Sequence, residues 1–91
     1  VLVARQVLPD FLAAFVTAAK ALKVGRADDA ASDIGPMVSE AAAHRVMDMC
    51  ADAVAKGARY ALEPVRQGAT VSPAILVDLP RQARLWCEEV L

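Results

Sequence analysis

The side chains of this chain that could do chemistry are few: Cys50, Cys87, the single histidine His44, the acids Asp28, Asp29 and Asp33, and the adjacent pair Glu88-Glu89. A cysteine attacks only as its thiolate, which needs a nearby positive charge or base. Cys50 falls on the apolar stripe of an expected helix, where a thiol is a small hydrophobe and its pKa rises. Cys87 is followed by Glu88 and Glu89, whose negative charge opposes thiolate formation. His44 stands between Ala43 and Arg45, neither a nucleophile nor a carboxylate, and reads as a solvated helix position. A small redox protein working through Cys50 and Cys87 would need reactive thiols, and neither setting favours one.

One histidine and two distant cysteines give no zinc ligand spacing, so no metal ligand is assigned. Asp28, Asp29 and Asp33 lack the D-x-[DN]-x-[DN]-G order of a calcium loop and read as turn and cap residues. Gly25, Gly35, Gly57 and Gly68 are too far apart for GxGxxG or GxxxxGK[ST], so no phosphate-cradling loop is present in these residues. The pair Glu88-Glu89, close to Trp86, is different. A carboxylate there can accept two hydrogen bonds from vicinal hydroxyls such as a ribose presents, although an adjacent acidic pair is also an ordinary solvated surface. No catalytic residue is assigned.

The elements that would position these groups follow from the apolar periodicity. Val1 to Ala4 is a short apolar run expected as a strand, which periodicity alone cannot separate from a helix. Pro9 suits a first helical turn, and Leu8, Phe11, Leu12, Phe15, Val16, Ala19 and Leu22 recur at helical spacing, predicting a helix over roughly 9–22 that closes near Gly25. Residues 26–36 are a connecting loop ending on Gly35-Pro36. A second helix is expected over 39–56, capped by Ser39, stapled by Val38 on Ala43 and stopped by Gly57. Its stripe is Ala43, Val46, Met47, Cys50, Ala53 and Val54, with Asp52 and Lys56 four apart on the wet side. Ala58 to Glu63 reads as a strand, Pro64 to Thr70 as a turn around Gly68, and Val71 to Asp78 as an edge or entering strand because of Pro73. Pro80 opens a loop, and Ala83 to Leu91 is either a short helix or an extended run. The order is β-α-α-β-β.

Composition narrows the function classes. The 91 residues are 57% hydrophobic and 23% charged, which argues against disorder, but much of the apolar fraction is alanine and aromatics are only 4%. The chain is therefore expected to be part of a larger body, starting in mid-fold at Val1. Ten basic against eleven acidic residues, a net charge of −1, give no nucleic-acid footprint. Lys20, Lys23, Asp28 and Asp33 break up any candidate membrane span. Two cysteines without paired spacing suit a reducing compartment, and a cytoplasmic location is expected.

Taken in order, the residues resemble a stretch of the catalytic domain of the aldehyde dehydrogenase superfamily, just after its nucleophilic cysteine. Val1-Leu2-Val3 resembles the strand that follows that cysteine, and Leu8-Pro9-Asp10-Phe11-Leu12-Ala13-Ala14-Phe15 the next helix, with Lys23-Val24-Gly25 at its exit. Ser32-Asp33-Ile34-Gly35-Pro36-Met37-Val38-Ser39 is similar to the family's Thr-Asp-Ile-Gly-Pro-Leu-Ile-Ser, followed by a helix and Lys56-Gly57-Ala58. Val71-Ser72-Pro73-Ala74-Ile75-Leu76 resembles its Pro-Thr-Val-Leu strand, and Glu88-Glu89-Val90 the start of Glu-Glu-Val-Phe-Gly-Pro. The departures are Leu62-Glu63-Pro64-Val65 where a Gly-Gly pair is usual, Ala27 and Ala74 for Pro and Thr, and Leu91 for the phenylalanine.

The resemblance implies an α/β fold with helices packed on a mostly parallel sheet, residues 1–91 forming one segment of the catalytic domain. It implies an NAD- or NADP-dependent enzyme that oxidises a small-molecule aldehyde to a carboxylic acid through a cysteine thiohemiacetal and hydride transfer, acting as a homo-oligomer without nucleic acid or membrane. Glu89 matches the family's glutamate that holds the nicotinamide ribose. The nucleophile, the general-base glutamate and the Rossmann half would lie upstream, so the segment alone is expected to be inactive. The competing expectation is a non-enzymatic α/β interaction or oligomerisation module derived from that fold.

Overall fold

The computed structural model describes residues 1–88 and 90; Glu89 and Leu91 lie outside the described residues. The first helix, α1 (Leu8–Lys20), begins with a proline in its first turn, where the missing N–H costs nothing, and Thr17 Oγ1 donates back to the Ala13 carbonyl at 2.9 Å. It stops short of the expected Leu22 because the chain tightens: the Leu22 N–H reaches the Ala19 carbonyl, three residues back, at 3.2 Å.

Helix α2 (Glu40–Ala55) is delimited as its sequence dictates. Ser39 sits in extended backbone and its Oγ accepts the Ala42 N–H at 3.1 Å. At the other end the Ala58 N–H reaches the Ala53 carbonyl at 3.0 Å and the Gly57 N–H reaches Val54 at 3.1 Å, with Gly57 at φ 120°. That pair of bonds is a Schellman closure, and the positive φ is why glycine stands there. The staple is a correction: Val38 is 94% exposed, so the cap rests on the Ser39 hydroxyl without it.

Strand β1 (Arg59–Leu62) pairs antiparallel with β4 (Ile75–Val77), with a bulge between Tyr60 and Leu62. Between them β2 (Arg66–Gln67) and β3 (Thr70–Val71) form a small hairpin in place of the expected simple turn. Gly68, at φ 60°, takes the first position of its two-residue loop, the backbone that matches strand twist. Pro73 divides the single strand expected over Val71 to Asp78: it has no N–H to give, so the ladder to β2 ends at Val71 and that to β1 starts at Ile75. Ser72 bridges the gap, its N–H on the Val65 carbonyl at 2.9 Å and its Oγ on the Val65 N–H at 2.7 Å.

Helices and strands together make an α/β structure, with one difference from the expected mostly parallel sheet. Both ladders are antiparallel, and parallel pairing within the described residues is the isolated bridge Val24–Ile34. The antiparallel pairs join stretches that lie close along the chain and can double back, whereas a parallel pair needs a long crossover. Val1 to Ala4 is a second correction. It has no ladder partner here, and Val1 and Leu2 stand exposed, because a strand exists only where another accepts its backbone bonds.

The loop 26–36 is ordered by its acids. The Asp33 carboxylate accepts the Lys23 N–H at 2.8 Å, Asp29 accepts the Ala31 N–H at 2.9 Å, and Asp28 pairs with Arg26. The Arg26 guanidinium holds the Asp28 carboxyl below its ordinary pKa. These are the turn and cap roles their spacing suggested.

The core is made of small side chains. Ala53, Ala58 and Ala83 form its centre, with Leu76, Leu79 and Leu85 packed around them. Among the described residues Met49 is the large side chain that is wholly buried, although it lies outside the stripe expected on α2, whereas Val54, expected within it, is exposed. Phe11 and Phe15 pack on each other, ring centroids 5.4 Å apart, yet both remain more than a third exposed. The radius of gyration is 13.9 Å, against about 12 Å for a compact globule of this length. Met49→Ala is expected to cost about 2–5 kcal/mol, and Val54→Ala well under half of that, as read by denaturant unfolding. Equal losses would contradict this account of the core.

Candidate functional site

The acidic pair is reached through the short helix α3 (Arg84–Cys87), which resolves the open choice for residues 84–87 in favour of a helix. Its N-cap residue, Ala83, has no side chain with which to cap. An orphan N–H at such a start needs an acceptor from elsewhere. Asp52, on α2, supplies it: Oδ2 accepts the Arg84 N–H at 2.9 Å. Its other oxygen, Oδ1, is 2.9 Å from Lys56 Nζ, and that same ammonium donates to the Gln82 carbonyl at 3.0 Å. The last turn of α2 thus holds residues 82–84 by one acceptor and one donor, with the wholly buried Ala83 lying between against Ala53.

The sequence placed Asp52 and Lys56 together on the wet side of α2. The pair forms, but its partners thirty-two and twenty-six residues away carry no local signal. The one hint in the sequence is that a helix starting after Ala83 has no cap of its own.

Glu88 ends α3 in extended backbone, its N–H on the Arg84 carbonyl at 2.8 Å. Its side chain turns back toward the helices: Oε2 accepts from Arg84 Nε at 2.9 Å and Oε1 lies 3.6 Å from Arg45 on α2. The Arg84 guanidinium holds the Glu88 carboxyl below the usual carboxylate range. Asp52 is lowered too, first by the Arg84 N–H and then by Lys56. Glu89, the residue singled out for binding, lies outside the described residues.

Cys50 and His44 lie where the helix periodicity put them, on the buried and exposed sides of α2. Cys50 is buried and desolvation pushes its thiol up, away from a thiolate. Cys87 is exposed, with Sγ 3.4 Å from the Arg81 carbonyl, and His44 is exposed on α2. Trp86 is half exposed beneath the Arg81 guanidinium, 5.9 Å from the ring centroid.

Comparison with known proteins adds independent findings. The model of the aldehyde dehydrogenase family matches residues 1–91. An aldehyde-dehydrogenase-like protein of Sinorhizobium fredii is 34% identical over 90 residues, which are 99% of this chain and 18% of that protein. The NADP(+) succinate-semialdehyde dehydrogenase of Mycobacterium avium is 36% identical over 83 residues, 88% of this chain and 18% of its own length. The crystal structure of aldehyde dehydrogenase 21 from Physcomitrella patens, in complex with the reaction product succinate, superposes with a TM-score of 0.89 at 34% identity, covering 94% of this chain and 18% of that one. The chain thus spans less than a fifth of the length of the relatives it matches.

The lowered carboxyls set a pH dependence. A group whose folded pKa lies below its unfolded value stabilises fully above the unfolded value, and that contribution is lost as pH falls through the folded one. The attachment of α3 to α2 should therefore hold unchanged from neutral pH down to the usual carboxylate range, weaken as pH falls through it, and lose the contribution of these two carboxyls below their lowered values. Hydrogen-exchange protection at the Arg84 amide, corrected for intrinsic rate, checks this. Loss of protection above that range would contradict it.

Proposed function

Because this chain belongs to the aldehyde dehydrogenase family, we propose that it is part of an enzyme that oxidises an aldehyde to a carboxylic acid with NAD or NADP, and that Glu89 is its contact to the nicotinamide ribose. The observation that carries the assignment of Glu89 is the commitment of its neighbour. Both oxygens of Glu88 face arginines, Arg84 and Arg45, so that carboxylate is already engaged in holding α3 to α2. With Glu88 so engaged, Glu89 is the member of the acidic pair assigned to the cofactor.

The donor chemistry suits one part of the cofactor. A vicinal diol offers two O–H donors, and a carboxylate offers two acceptor oxygens. The glycines are not spaced to cradle phosphates, so the rest of the dinucleotide falls to other residues of the parent protein. When bound, the nicotinamide supplies hydride acceptance. What this chain supplies is placement, because a ribose held at a fixed point limits where the attached ring can sit relative to the reacting carbon.

The same reading includes a small-molecule aldehyde as substrate and a homo-oligomer as the working form. Among the described residues no helix is long and apolar enough to cross a membrane. The incompletely covered Phe11, Phe15 and Leu8 on α1 fit a segment that packs against more of the same polypeptide.

In the full-length protein, Glu89→Gln should lower turnover with NAD or NADP by roughly ten- to a hundredfold through lost placement. Glu88→Gln should do much less, since it keeps an acceptor for Arg84. Steady-state kinetics on both variants provide the check, and equal effects, or none at Glu89, would count against the assignment.

A further inference from the structure

The segment that leads to Glu89 is held from a distance, and the holding groups lie on one turn of α2. Asp52 takes the first N–H of α3 and Lys56 takes the carbonyl two residues earlier. Behind them Ala53 and Ala83 are wholly buried, which lets helix and segment approach closely. One helical turn further, Glu88 is tied to Arg84 within α3 and to Arg45 on α2. Backbone and side-chain contacts together therefore fix residues 82–88 relative to α2, and the next residue is Glu89.

We propose that Asp52 is a positioning residue for the cofactor: by accepting the Arg84 N–H it sets the orientation of α3, and with it the point from which Glu89 reaches the ribose. This rests on the reading of Glu89 as the ribose contact. Asp52 itself touches no cofactor in this account. It acts through the backbone of α3, whose start has no other side-chain cap. The bond between Asp52 and Lys56 serves the same end, since it keeps the carboxylate turned toward Arg84 while the ammonium reaches Gln82. An oxygen acceptor in the same place, charged or neutral, would serve the Arg84 N–H.

The test uses the full-length protein in four variants: Asp52→Ala, Asp52→Asn, Glu89→Gln, and Asp52→Ala combined with Glu89→Gln. Two quantities are read, kcat/KM for NAD or NADP at saturating aldehyde, and hydrogen-exchange protection at the Arg84 amide without cofactor. Asp52→Ala should lower kcat/KM for the cofactor roughly tenfold, leave the aldehyde KM in place, and remove protection at Arg84. Asp52→Asn, which keeps an acceptor oxygen, should restore most of both. Because Asp52 acts through Glu89, the double variant should be no worse than Glu89→Gln alone.

If Glu89→Gln is impaired while Asp52→Ala keeps its cofactor kinetics, or if the two losses multiply, the positioning role is overturned and the ribose assignment stands. If Glu89→Gln itself changes nothing, the ribose assignment fails and the positioning role fails with it. Should Asp52→Ala not fold, Lys56→Met replaces it: it releases Gln82 but leaves the Asp52 carboxylate, and the same lack of additivity with Glu89→Gln is expected. Multiplying losses there would equally overturn the proposal.

Discussion

The grip of α2 on the residues before α3 is the interaction on which the functional reading depends. Asp52 and Lys56, four apart on one helix, satisfy an N–H and a carbonyl of a segment about thirty residues further along the chain. Each is a single side chain–backbone hydrogen bond, and one such bond adds only modestly to net stability. Their value is geometric. The backbone polar groups at the start of a four-residue helix must find partners, and where those partners sit decides how the helix lies. Without that constraint, a carboxylate following α3 would have no defined place from which to meet a ligand.

The constraint in turn needs α2 to be a rigid, well-ended element. The Ser39 cap and the Schellman closure at Gly57 fix both ends, and Met49, Cys50 and Ala53 bury one face. Small residues at the contact let α3 lie close, while Leu76, Leu79 and Leu85 fill the periphery. A core of this kind holds its own geometry but removes little apolar area from water. The apolar residues Phe11 and Phe15 of α1, with Val1 and Leu2, remain exposed.

What was legible in the sequence was local. Ser39, Gly57, Pro9 and the loop acids each act on backbone within a few residues, and each does in the structure what its chemistry requires. What was illegible was pairing. Pro73 was recognised as a strand disturbance, but whether it ends one strand or divides two depends on which neighbours accept the ladder. Val1 to Ala4 carries the pattern of a strand and finds no ladder partner among the described residues. On α2 the exposed Val54 was read into the stripe and the buried Met49 was not, because the direction from which the sheet and α3 approach is a tertiary fact. In the candidate site the acidic pair and its family motif were readable, whereas the division of labour that engages Glu88 came only with the positions of Arg84 and Arg45.

The most direct measurement is a crystal structure of the full-length protein with NAD or NADP bound. The account predicts the Glu89 carboxylate within hydrogen-bond distance of both ribose hydroxyls, with Glu88 still on Arg84 and the Arg84 N–H still on Asp52. A ribose held by Glu88 or by another residue, with Glu89 in solvent and the contact to Asp52 open, would contradict it.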